Sequence, residues 1–98
     1  MGERKVTILE PAVEEVARIA LFIESEGLPK TAKKFVDDAF AFFASLSDER
    51  FVHRPCKHPA WKALNLRCVN FRKKYIVSYL DNKSEIIICE FALQKNLK

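Results

Sequence analysis

Residues 63–92 read ALNLRCVNFRKKYIVSYLDNKSEIIICEFA, and the fold turns on this stretch. Its first part, 63–69, alternates: Leu64, Leu66 and Cys68 fall on one face, Asn65 and Arg67 on the other. Residues 74–80, KYIVSYL, are β-branched and aromatic, as a strand requires. Asp81, Asn82 and Lys83 supply a turn. Residues 85–92, EIIICEFA, form a near-continuous apolar run, the pattern of a central strand buried on both faces. Links this short predict three strands in an antiparallel meander.

A meander has an apolar side that something must cover. Upstream, residues 30–46 place Ala32, Phe35, Val36, Ala39, Phe40, Phe43 and Leu46 at helical spacing, one continuous stripe. Such a stripe is core rather than a cofactor pocket, and Phe40 stands at its middle. Lys33, Lys34, Asp37 and Asp38 lie off it, with Lys34 and Asp38 spaced to pair. An earlier helix begins near Pro11, with Glu14 and Glu15 in its first turn at the positive end of the dipole. Ala12, Val13, Val16, Ala17, Ile19, Ala20 and Ile23 form its apolar face, and Gly27 suits a left-handed cap. Pro29 starts the second helix, so the two form an αα-hairpin. Residues 5–9, KVTIL, make a first strand. The expected architecture is α+β, in the order β-α-α-β-β-β, with the helical hairpin on one face of a mostly antiparallel sheet.

Charge is distributed unevenly. Residues 51–80 contain no Asp or Glu and carry Arg54, Lys57, Lys62, Arg67, Arg72, Lys73 and Lys74, a formal +7. The whole chain is +4, so the other 68 residues sum to −3. A basic segment on a mildly acidic body suits an acidic protein segment or a nucleic acid, or else is simply a solvated face. Residues 47–60 hold Arg50, His53, Arg54, Lys57 and His58 with Pro55 and Pro59, a loop and a candidate contact segment.

The 98 residues give room for one domain, 1–98, with one core. An apolar fraction of 49% with eight Phe marks a folded chain. No apolar run approaches the ~20 residues that span a bilayer. The first residues, MGERKVTIL, lack a signal-peptide core, and Gly2 is no myristoylation site because position 6 is Val. The expected location is the cytoplasm. Cys56, Cys68 and Cys89 are odd in number and lack CxxC spacing, which fits reduced thiols there.

The order of elements, with two local patterns, resembles the RelE/ParE superfamily of bacterial toxins. One pattern is the second-helix signature of Ala32, Phe35 and Val36 closing at Leu46. The other is Leu66-Arg67, then Phe71, then Tyr75-Ile76-Val77-Ser78-Tyr79, then the strand from Ile86 to Phe91. The resemblance runs from Val6 to about Lys95. It implies the toxin of a two-gene toxin–antitoxin module, also known as a plasmid stabilisation protein. Such a toxin has no cofactor and is wrapped by an acidic antitoxin; a homodimer or a toxin–antitoxin hetero-oligomer is the expected assembly.

The superfamily divides by target. RelE-like members cut mRNA on the ribosome, which requires cations at the scissile phosphate and groups that move protons. They carry an arginine in the third strand and a His, Arg or Tyr near the C-terminus. This chain has Ile76 at the first position, and Ala92-Leu93-Gln94-Lys95-Asn96 after Phe91. Lys95 or Lys98 would serve as acid or base only with a strongly lowered pKa. ParE-like members inhibit DNA gyrase by binding, without a known catalytic constellation, and the YIVSY strand resembles theirs. Many of them carry a His and an Arg where Leu93 and Asn96 stand here. The expectation is therefore a ParE-like toxin that binds gyrase and has no catalytic residues. The seven cations serve the antitoxin or the target. The alternatives are a RelE-like ribosome-dependent mRNA endonuclease and a non-toxic RNA- or protein-binding module.

Three further features are open to two readings. His53, Cys56 and His58 space as H-x2-C-x-H, which matches no closed zinc site and reads as a solvated loop. Arg67 is a clamp for phosphate or carboxylate, or the partner in an internal salt bridge. Trp61 anchors the basic loop or stacks on a partner; anchoring is favoured because a tryptophan gains most by burying its ring. Nothing in the sequence places either histidine beside Arg67.

Overall fold

The computed structural model describes residues 4–48, 53–82 and 84–96. Gly2, Arg50, Lys83 and Lys98, on which expectations were placed above, lie outside them.

Strand β1 (Lys5–Ile8) leads directly into helix α1 (Glu10–Ser25), with Leu9 as an extended N-cap and Pro11 in the first turn. The helix starts one residue before the proline, so Glu10, rather than the expected Glu14 and Glu15, is the acidic residue of its first turn. The chain turns through Gly27, whose φ of 81° is the left-handed value that favours glycine. Pro29 then opens helix α2 (Pro29–Ser45). The αα-hairpin expected from the sequence is present.

Strands β2 (Arg67–Phe71), β3 (Tyr75–Asn82) and β4 (Glu85–Leu93) form the antiparallel meander. β1 joins the free side of β4 in parallel, so the sheet order is β1-β4-β3-β2. β4 is a central strand, as its apolar run predicts. Its pairing skips a residue: Ser78 faces Glu90 while Tyr79 faces Ile88. This bulge at Cys89 lets Ile86, Ile88 and Phe91 all point to the helical hairpin, which strict alternation would not allow. Asp81 and Asn82, expected in the turn, are the last residues of β3, paired with Ile86 and Glu85.

The main core lies between the hairpin and the sheet. Val16, Phe35, Ala39 and Phe43 are at most 1% exposed there. Phe35 meets Phe71, Tyr75 and Phe91 at ring-centroid distances of 6.1, 5.5 and 6.2 Å. Phe40 is not at the centre of this core. It is half-buried at the flank, edge-on to Phe43, because the stripe is wider than the sheet surface beneath it. Val13 and Ala17 of α1 are likewise exposed, while Ala12 and Val16 are buried.

A second, smaller cluster occupies the other face of the sheet, and here the structure departs from the sequence reading. Residues 47–60 were expected to be loop and 63–69 strand. Instead Pro59–Ala63 forms a short helix, α3, and the strand starts only at Arg67. Pro59 opens the helical turn, and Asn65, at φ 61°, closes it in the left-handed conformation that Asn tolerates. Leu64 therefore points to solvent, 64% exposed, and does not share a face with Leu66 and Cys68. Trp61 is buried with Cys56, Leu66 and Cys68 against the far side of the sheet, the anchoring role expected of it.

Cys56 and Cys68 form a disulfide, not the reduced thiols expected; among the described residues Cys89 is the free cysteine. The cause is local. The Cys56 N–H donates to the Leu66 carbonyl oxygen and the Cys68 N–H to that of Arg54, both near 3 Å. The segment before α3 thus runs antiparallel beside β2, with Pro55 opposite Arg67. That pairing brings the two Cα atoms to 4.8 Å, within disulfide reach.

Candidate functional site

The seven cations of the acid-free stretch do not form one patch. The strand pleat divides them. Arg67 alternates with Cys68 and so lies on the hairpin side, while Arg54 and Lys57 lie on the far side. Lys62 is exposed on α3. Arg72, Lys73 and Lys74 make the β2–β3 turn, with Arg72 and Lys73 at φ of 53° and 65°.

Arg72 is engaged internally. Its guanidinium pairs with Asp38 of α2 and lies 5.4 Å from the ring centroids of both Phe35 and Phe71. The same carboxylate takes Lys34 at 3.5 Å, the pair expected from the sequence. Arg72, followed by Lys34, holds the Asp38 carboxyl below the usual carboxylate range. Arg72 thus fastens the turn to the hairpin and is less available to a partner than Lys73 and Lys74.

Arg67 is half-buried, and its Nη1 donates to the carbonyl oxygen of His53 at 3.1 Å. The contact is to backbone, not the carboxylate an internal salt bridge requires. His53 therefore stands beside Arg67, although the sequence offered no reason to place it there. Its Nδ1 is 2.6 Å from the hydroxyl of Tyr79, the residue opposite Arg67 on β3. Burial lowers the His53 pKa. Burial, with help from Asp81, raises that of Tyr79 against the opposing pull of Arg67 and Arg4. A neutral imidazole and a protonated phenol follow at neutral pH. The His53–Tyr79 pair closes the end of the core, and Tyr79 is only 2% exposed, so its hydroxyl cannot meet a substrate in this arrangement. The H-x2-C-x-H trio is also dispersed: Cys56 is in the disulfide, His53 is at Tyr79, and the His58 ring lies 5.1 Å from that of Trp61.

The far face carries a cleft of about 350 Å³. Its rim is Arg54 and Lys57, its wall His58 and Trp61, and its floor includes Ile76. At its end Gln94 donates from Nε2 to the Asn70 side-chain oxygen at 2.7 Å. Gln94 also borders a second, more open recess of about 590 Å³, edged by Lys73, Lys74 and Lys95. The two meet at Gln94 and form one track, which runs from the far face to the end of the sheet lined by Tyr75 and Leu93. Lys57, Lys73 and Lys74 are joined in this way although they are distant in sequence. Ile76, Asn70 and Gln94 were not singled out as site residues from the sequence. Their only signal was strand parity, which puts Asn70 and Ile76 on the face opposite Val69 and Val77.

No protein-family model matches the chain, and no curated protein matches its sequence. A solved structure does: a chain described as "Chromosomal ParDE TA system from P. aeruginosa" superposes with a TM-score of 0.75 at 16% identity, covering 93% of this chain and 96% of that one. The fold is therefore the ParE-like one expected from the sequence. Among the described residues no helix is long and apolar enough to cross a membrane.

Proposed function

We propose that this chain is the toxin of a type II toxin–antitoxin module, held by an acidic antitoxin in the cytoplasm and acting by binding DNA gyrase. The observation that carries this reading is the fold, shared along almost the whole of both chains with a chain of a ParDE system. The surface supports it. Lys57, Lys62, Lys73 and Lys74 are exposed on a chain of net charge +4, a favourable encounter surface for an acidic protein. Binding rather than catalysis is favoured because Ile76 stands where a phosphate-clamping arginine would, and the residues after Phe91 include no His, Arg or Tyr. The Tyr79 hydroxyl is already engaged by His53.

The test is induction of the chain without its antitoxin. Gyrase binding predicts blocked replication, filamentation and a DNA-damage response, with message intact at first. Purified protein should inhibit gyrase supercoiling.

One observation favours the second reading, a RelE-like mRNA endonuclease. His53, Arg67 and Tyr79 bring an imidazole, a guanidinium and a phenol together. Primer extension on ribosome-bound message decides between the two. Codon-positioned cuts that vanish in Arg67→Ala would make the chain an enzyme.

A further inference from the structure

We propose that the far-face cleft is the anchor site for an extended acidic peptide: one apolar side chain enters between Trp61 and Ile76, and flanking carboxylates meet Arg54 and Lys57. In the module reading, on which only the source of the peptide rests, this peptide belongs to the antitoxin.

The chemistry of the cleft selects this ligand. An apolar floor with cations confined to the rim suits a side chain such as leucine bordered by acids. Residues 51–80 contain no carboxylate of their own to neutralise that rim. The shape selects an extended chain. Gln94 belongs both to the cleft and to the recess edged by Lys73, Lys74 and Lys95, so a bound strand can continue from one to the other over the Asn70–Gln94 pair. The buried Nδ1 of His58 has no hydrogen-bond partner among the described residues, and His58 lines the same cleft. Buried polar atoms are rarely left so, and a bound group offers it a partner.

Single-stranded RNA is the less suitable occupant. Sequence-tolerant RNA sites stack bases on open aromatic faces. Here Trp61 is 8% exposed with His58 tilted against it, and Tyr75 is stacked on Phe91 at 5.2 Å. No aromatic platform is open along the track among the described residues.

The chain has a single tryptophan, and it lines the cleft, so its emission reports occupancy directly. The probe is a short synthetic peptide with one central leucine flanked by glutamates, titrated into the oxidised full chain. A serine-for-leucine control and oligo(U) of equal length are run beside it. The leucine peptide should shift Trp61 emission, and the serine control should bind about tenfold more weakly. Arg54→Glu with Lys57→Glu should weaken the peptide by about tenfold or more, as should Ile76→Glu, while Lys33→Glu on the exposed side of α2 should change it little. Near-ultraviolet circular dichroism checks that each variant keeps its packing. Unchanged Trp61 emission, equal affinity in the rim variants, or tighter binding of oligo(U) would overturn the proposal.

A second arm separates this proposal from the module reading, using whatever small protein the neighbouring open reading frame encodes. If that protein holds the Ile76→Glu chain as tightly as the unaltered one, the cleft assignment falls and the module reading stands. If it does not bind at all while the leucine peptide does, the cleft stands and the module reading falls.

Discussion

The Nδ1 of His53 lies 2.6 Å from the Tyr79 hydroxyl, and the two rings meet edge to face with centroids 5.8 Å apart. The contact ties the segment that enters the far-face cluster to the end of the main core. It is sensitive to protons, because burial lowers the His53 pKa. A folded-state pKa below the unfolded value of about 6.5 means that the unfolded chain binds protons more readily. The contribution is complete above about pH 6.5 and is lost as the pH falls through that value towards the folded pKa. Denaturant midpoints should therefore drop between about pH 7.5 and about pH 5. In His53→Phe the drop should be smaller; an identical drop would show that His53 does not carry it.

Arg72 fastens the β2–β3 turn to α2 through Asp38 and through the Phe35 and Phe71 rings. Removing the guanidinium in Arg72→Gln should let the Asp38 carboxyl titrate at higher pH, an effect that carboxyl-carbon NMR resolves. The sign follows from a depressed pKa. The stabilisation is present above the unfolded carboxylate value and is lost as pH falls through the folded one. A titration curve for Asp38 that is unchanged in Arg72→Gln would remove this contact from the account.

Core truncations should separate two phenylalanines that the sequence pattern treats alike. Phe43 is fully buried between Phe40 and Phe91, so Phe43→Ala should cost about 3–5 kcal/mol. Phe40→Ala, at the flank, should cost about 1–2 kcal/mol. Urea midpoints of the two variants would show the ordering, and equal losses would contradict the packing described.

The Cys56–Cys68 bridge spans a sequence separation of 12. Constraining a loop of this length stabilises by roughly 3 kcal/mol in the chain-entropy model. Reduction by a dithiol should lower the unfolding free energy by about that amount. It should also raise hydrogen exchange in residues 53–66 before the rest of the sheet responds. Cys89→Ser should leave both readouts close to their unaltered values. Under reducing conditions the bridge is the feature most exposed to change, and the cleft wall built on it would loosen first.

The elements with strong periodicity were legible in advance. The hairpin, the meander and the central place of β4 follow from the Phe35–Phe43 stripe and the EIIICEFA run. The features that escaped depend on pairings between distant residues. The disulfide arises only because residues 54–56 lie beside β2. The short helix at Pro59 was hidden by a loop-like composition, and its closure at Asn65 reversed the outlook of Leu64. His53 reaches Tyr79 across 26 positions, a distance over which local patterns say nothing. The charge excess of residues 51–80 identified the cations but not their division by the sheet. Parity along β2 could have separated Arg67 from the others, since its neighbour Cys68 was already assigned the opposite face.

The parallel pairing of β1 with β4 joins Lys5 to Glu85. During synthesis β1 and both helices leave the ribosome long before their sheet partners exist. At about 5–20 residues per second, the forty residues from the end of α2 to Glu85 take roughly 2–8 s. Through that interval the Phe35–Phe43 stripe has no sheet to cover it and β1 has no strand to pair with. The nascent chain is then an amphipathic hairpin with its oily side bare, open to chaperones and to aggregation. The sheet closes only once β4 has been delivered, so the protein acquires its working surface late and in a single step.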